Sequence, residues 1–178
     1  MPYEATYTQG LTMEFDEYII KLPDRPADKD IINWRLPISQ QKFAYEKLPD
    51  FKTMNAQELQ NYSELMWHKR LNGQWQWING TAYMIPGGAW FFCNFWTTTR
   101  GERPKFRLEA LEFFWFWYLY VEKTPSVTGC ICIKCRRIGD SEKVLCIMYE
   151  RTTRYFNYPG GMQSYTDEEA KKAYERIV

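Results

Sequence analysis

Gly129-Cys130-Ile131-Cys132-Ile133-Lys134-Cys135, then Arg136-Arg137-Ile138-Gly139-Asp140-Ser141, then the run from about Glu142 to Tyr155, form the stretch on which the fold turns. Its first seven residues are a continuous apolar run, the pattern expected of a strand covered on both faces in a parallel sheet. The next six make a basic loop with one glycine, and the residues after it read as a helix. Asn157-Tyr158-Pro159-Gly160 breaks the chain, and Gly161-Met162-Gln163-Ser164 reads as a short second strand. Thr166 then opens a last helix, with Glu169 three residues on to complete a capping box. Strand, loop, helix, strand, helix is the opening of a doubly wound α/β sheet.

A loop between a buried strand and a helix N-terminus is where α/β proteins hold phosphates, because unpaired N–H groups and the helix dipole both favour an anion. The usual pattern is G-x-x-x-x-G-K-[ST]. Here Gly139 and Ser141 meet its second half, the first glycine is missing, and Asp140 stands where the lysine belongs. The pattern alone fits a plain tight turn as well as a phosphate site. Lys134, Arg136, Arg137 and Lys143 shift the reading, since four cations around one turn repel each other unless an anion lies among them.

Upstream, the grammar is aromatic and strand-like. Gln74-Trp75-Gln76-Trp77-Ile78 and Thr81-Ala82-Tyr83-Met84-Ile85 flank Asn79-Gly80, the strongest short hairpin signal, because both residues tolerate the positive φ of a type I′ turn. Pro86-Gly87-Gly88 reads as a turn and Ala89 to Trp96 as a further strand. Phe106 to Val121 reads as an aromatic helix, closed by Lys123-Thr124-Pro125. Before the hairpin, Leu59, Tyr62 and Met66 recur at helical spacing behind the candidate caps Thr53 and Asn55, so a helix is expected from Met54, ending near Asn72-Gly73. Residues 1–52 carry Pro2, Pro23, Pro26, Pro37 and Pro49 and read as an extended arm with short helices. Three segments follow: the arm at 1–52, a helix with an aromatic hairpin and second helix at 53–125, and the first βαβα elements of an α/β domain at 126–178.

Composition narrows the function classes. The 178 residues suffice for one domain with its own core. With 45% hydrophobic and 25% charged residues, disorder and pure coiled coil are excluded. A net charge of +1 excludes nucleic-acid binding driven by bulk charge, so any such contact needs a local patch. The apolar run Leu111–Val121 is about half the length a bilayer crossing needs. The N-terminus lacks the basic start and apolar core of a secretory signal. Five cysteines, four of them close together, do not form a disulfide framework and point to a reducing, intracellular compartment.

Rival features are weighed in turn. Cys130, Cys132, Cys135 and Cys146 lack the paired C-x2-C spacing of structural zinc sites and read as core thiols. His68, the single histidine, sits in a polar helix end where a cation is favoured, which leaves Ser-His or Cys-His catalysis little to stand on. Aromatic residues make up 18% of the chain, and Trp75 and Trp77 share one hairpin face. They serve either as core or as a stacking platform for sugars or bases.

The segment Lys134-Cys135-Arg136-Arg137-Ile138-Gly139-Asp140-Ser141 resembles the deviant Walker A motif of phage terminase large subunits, ATP-driven DNA-packaging motors, in which the phosphate lysine can stand at the start of the loop. Asn72 to Gly80 and Trp90 to Trp96 resemble the aromatic hairpin upstream of that motor domain. Gly161 to Ser164 and the helix from Thr166 resemble the strand and helix after the loop. The resemblance covers about residues 65–178 and implies the start of a P-loop, ASCE-like parallel sheet preceded by an aromatic hairpin and helices. It implies ATP and Mg²⁺ as cofactors. Lys134 would clamp the phosphates, Arg136 and Arg137 would surround the γ-phosphate, Gly139 would allow close backbone approach and Ser141 would bind Mg²⁺, with Asp140, Glu142 and Lys143 completing the loop. It also implies viral double-stranded DNA, a portal protein and a small terminase subunit as partners, a homo-oligomeric ring during packaging, the host cytoplasm as compartment and no membrane. No apolar strand ending in Asp-Glu and no metal-dependent nuclease segment follows Ser164, so the chain is expected to be the N-terminal part of a longer protein that does not turn over ATP alone. The reading of another class is a non-catalytic aromatic module for carbohydrate or single-stranded nucleic acid, working through Trp75 and Trp77.

Overall fold

The computed structural model describes residues 6–8, 12–15, 18–98, 100–124, 126–127, 140–155 and 166–175. The chain divides into two compact units, Met1–Trp90 with Phe106–Cys130 and Phe91–Lys105 with Ile131–Val178.

The first unit opens with an antiparallel meander of β1 (Thr6–Thr8), β2 (Thr12–Phe15) and β3 (Tyr18–Lys21). Thr8 pairs with Thr12 and Phe15 with Tyr18. Proline punctuation makes this region read as an extended arm. The strands fit between Pro2 and Pro23, so no proline removes a ladder donor. Two short 3₁₀ turns follow at Asp28–Asp30 and Ile38–Gln40.

Helix α1 (Ala56–Asn72) starts at a complete capping box. The Glu58 N–H donates to Asn55 Oδ1 at 2.9 Å, and the Asn55 N–H donates to Glu58 Oε2 at 2.9 Å. Such a cap contributes about 1 kcal/mol. Lys69 and Arg70 stand in the last turn, where the helix dipole favours cations, and Gly73 ends the helix at φ 70° and ψ −160°.

Strands β4 (Gln74–Ile78) and β5 (Thr81–Ile85) form the expected hairpin, with Ile78 opposite Thr81 and Gln74 opposite Ile85. Asn79 at φ 50° and Gly80 at φ 83° give the turn its two positive-φ residues. Residues 31–44 line the hairpin. Ile32 bridges in parallel to Gln76, and the Asn79 N–H donates to the Gln41 carbonyl at 2.8 Å. Gln76 is wholly buried, and its Oε1 accepts from the Ala44 N–H at 2.8 Å. A buried amide without such a partner would cost about 1–3 kcal/mol.

The run from Ala89 to Trp96, read from sequence as a strand, is instead helix α2 (Gly87–Phe95). A short apolar run has no period of its own to separate a buried strand from a buried helix. Ala89, Trp90, Phe92, Cys93 and Asn94 are all buried, so this helix is covered on nearly every side. The preceding Gly87-Gly88 serves close approach rather than a turn. A Cβ on Gly87 would collide with the carbonyl of Arg70, and one on Gly88 would enter the ring of Tyr118.

The aromatic helix expected over 106–121 is present as α3 (Leu108–Trp115), continued by a π-helical turn over Phe116–Val121. Its buried residues Leu111, Phe114, Trp115, Tyr118 and Val121 join Trp75, Ile78, Met84, Ile85 and Trp90 in the core of the first unit. The Trp115 Nε1–H donates to the Met84 carbonyl at 2.5 Å.

The second unit contains α4 (Asp140–Arg154) and α5 (Asp167–Tyr174). The Glu169 N–H donates to Thr166 Oγ1 at 3.2 Å, so Thr166 caps α5 as expected. The described chain is thus a mixture of helices with antiparallel strands. The strands read at 129–135 and 161–164 lie outside the described residues. Among the described residues, no helix is long and apolar enough to cross a membrane.

Candidate functional site

Helix α4 begins at Asp140, directly after the basic segment Lys134-Cys135-Arg136-Arg137-Ile138-Gly139 in sequence. Of the residues expected at the site, Lys134, Arg136, Arg137 and Gly139 lie outside the described residues. Asp140 is the first residue of the helix, and Ser141 in its first turn is exposed. Glu142 and Lys143 are built into the unit. The Trp96 Nε1–H donates to Glu142 Oε2 at 2.9 Å, and Lys143 is 5% exposed. A hydrogen bond to a charged acceptor contributes about 1.5–3 kcal/mol. Its effect here is to tie the first turn of α4 to the residue that follows α2.

One face of α4 meets aromatic rings. Tyr149 stacks on Phe91 at 6.0 Å between centroids and meets Trp96 edge-on at 6.3 Å. Leu145, Cys146 and Ile147 are buried, and Glu150 is buried completely, with Arg154 Nε 3.4 Å from its Oε1. The helix that would offer Ser141 is therefore gripped along its length while Ser141 itself stays in solvent. Sequence reading misses both devices. Trp96 and Glu142 are 46 residues apart and carry no local signal. Glu150 and Arg154 show the i,i+4 spacing of an ordinary surface pair, which does not reveal their burial.

The remaining candidates separate. Trp75 is 7% exposed and belongs to the core. Trp77 is half-buried, with its ring 5.4 Å from that of Trp34 and the Arg25 guanidinium 5.3 Å from its centroid. Trp34 is 41% exposed. His68 is exposed towards the C-terminal end of α1. Cys93 is buried, and burial pushes its thiol up to about 12, so it is protonated and a poor nucleophile at neutral pH. Cys146 is buried as well, and Cys130, Cys132 and Cys135 lie outside the described residues. Among the described residues, no group of three or more His, Cys, Asp or Glu is placed to hold a metal ion. No protein-family model matches the chain, and neither a curated protein nor a solved structure matches it.

Proposed function

We propose that the chain binds a nucleoside triphosphate with Mg²⁺ at the 134–143 loop, as the N-terminal ATPase segment of a terminase-like viral DNA-packaging motor built on a parallel P-loop sheet. The observation that supports the reading is the start of α4 at Asp140, with the Ser141 hydroxyl exposed in its first turn, immediately after the segment that carries Lys134, Arg136 and Arg137 in sequence. Lys134 clamps the phosphates, the two arginines surround the γ-phosphate, Gly139 lets the backbone approach and Ser141 reaches the metal. Glu142, engaged by Trp96, and the buried Lys143 set the position of the helix. Viral DNA, portal protein, small subunit and a ring of copies follow as partners from the same reading.

Hydrogen exchange of the full chain with a non-hydrolysable ATP analogue and Mg²⁺ tests it. The backbone amides of Ser141 to Lys143 should slow on binding, and Lys134→Ala should weaken the apparent affinity at least tenfold, the loss of one charge-assisted contact. Unchanged exchange there in a folded protein sinks the proposal.

One observation favours a second reading, the aromatic module for carbohydrate or single-stranded nucleic acid. Trp34 is exposed over Trp77 with Arg25 behind, a surface on which a sugar or base can stack. Titration with an oligosaccharide or a short oligonucleotide should then change tryptophan fluorescence in the wild type and in Lys134→Ala, and should not in Trp34→Ala.

A further inference from the structure

Between α2 and α3 the chain carries Arg100, Arg103, Lys105 and Arg107 against a single acid, Glu102. In a chain whose net charge is +1, this is a local excess of cations well away in sequence from the 134–143 loop. Arg100, Arg103 and Lys105 are all exposed, as is Glu102.

The segment is held in a defined shape. The Thr98 N–H donates to the Glu102 carbonyl at 2.9 Å, the Gly101 N–H donates to the Thr98 carbonyl at 2.8 Å, and Gly101 takes φ 75°. A Cβ built on Gly101 would meet nothing within 4 Å. After the turn the chain runs without helix or sheet pairing to Arg107, which is extended at φ −143° and ψ 143°. Exposure alternates along it. Arg103, Lys105 and Arg107 are exposed, Pro104 is buried and Phe106 is half-buried, its ring stacked on Phe43 at 4.8 Å. Over 103–107, then, the covered positions are apolar and the exposed ones are cations.

A run of exposed cations within one short segment suits a polyanion. We infer that Arg100, Arg103 and Lys105 form a contact surface for the phosphate backbone of a nucleic acid, read by charge and independent of base sequence. Glu102 stands between Arg100 and Arg103 in sequence and lowers the local potential, leaving three cations against one acid. The inference stands on the charge pattern and needs no nucleotide at the 134–143 loop.

The test is fluorescence anisotropy of a labelled 20-base-pair duplex, and of its single strand, with the full chain in the absence of nucleotide and over a series of salt concentrations. Three phosphate contacts predict that duplex affinity falls about 40-fold between 50 and 200 mM salt, with a log–log slope of about −2.7, or about −2.1 for the single strand. Arg100→Gln, Arg103→Gln and Lys105→Gln combined should flatten that slope by most of this amount and weaken binding at 50 mM salt at least tenfold. Arg100→Gln with Lys105→Gln, which leaves Arg103 and its own interactions in place, should flatten the slope by about two-thirds as much with the melting temperature unchanged, since both side chains are exposed. The inference is overturned if the wild type binds neither form at 50 mM salt, or if the triple variant keeps the wild-type slope. It is also overturned if the wild type binds vesicles containing anionic phospholipid through these residues and ignores nucleic acid. Loss of nucleotide protection at Ser141 to Lys143 bears only on the ATPase reading, so the two proposals fail separately.

Discussion

Gly73→Ala should destabilise the chain by about 3–5 kcal/mol, read as a fall in the urea midpoint with an unchanged slope. Two effects combine. Gly73 closes α1 at φ 70° and ψ −160°, a region that is essentially open only to glycine and costs about 1–3 kcal/mol for any other residue. A methyl group there would also run into the carbonyl oxygen of Ile85, and would come within 2.9 Å of both Pro86 Cα and Met84 Cε. The Met84 methyl can swing aside, whereas the backbone at Ile85 and Pro86 is fixed by the hairpin and by the start of α2. Overpacking of this kind costs a further 1–3 kcal/mol or so. Against a total stability of about 5–15 kcal/mol, the sum is a large share of what holds the chain folded. Gly101→Ala is the control. It has the same sign of φ but nothing within 4 Å, so it should show only the left-handed penalty of about 1–2 kcal/mol. A Gly73→Ala variant no less stable than Gly101→Ala would refute the close packing of α1 against the end of the hairpin.

That junction shows why part of the fold was legible and part was not. Asn79-Gly80 announces its hairpin because two adjacent residues with cheap positive φ have few other uses between strands. Asn55 and Glu58 announce the start of α1 because the capping box is a local device, complete within four residues. The α2 run carries no such device. Its residues are nearly all apolar because it is buried on nearly all sides, and the glycines before it are there for Arg70 and Tyr118, which are distant in sequence. Strands β1 to β3 carry no local signal for another reason. They are three and four residues long, too short for alternation to register.

At the candidate site the same division holds. The helix after the basic loop was legible from its composition, although α4 starts two residues earlier than Glu142. What fixes the helix in place was not legible, because Trp96, Phe91 and Glu150 act through long-range contact or burial, and neither leaves a local pattern. Glu142, expected at the phosphate loop, also accepts the Trp96 Nε1–H, a contact that no local pattern announces.

Glu150→Ala should be the most damaging single change in the second unit, costing about 3–5 kcal/mol. Glu150 is wholly buried, and its carboxylate lies 3.4 Å from Nε of an Arg154 side chain that is only 6% exposed. Removing the carboxylate leaves a guanidinium in a poorly solvated place with less negative charge beside it, and that desolvation is the main part of the cost. Replacing both partners should therefore hurt far less than replacing one, because an apolar pair of similar volume carries no charge to desolvate. Glu150→Leu with Arg154→Leu is expected to recover most of the loss, so that a double-mutant cycle gives a coupling of several kcal/mol. If Glu150→Ala alone costs under about 1 kcal/mol, the pair does not hold α4. The same variant also separates structure from ligand contact at the loop. By loosening α4, Glu150→Ala should raise exchange along the whole helix, with or without nucleotide. Lys134→Ala should change only the protection that the nucleotide confers on Ser141 to Lys143. A helix that loosens in both variants alike would mean that the cations of the loop serve the packing of α4 rather than an anion.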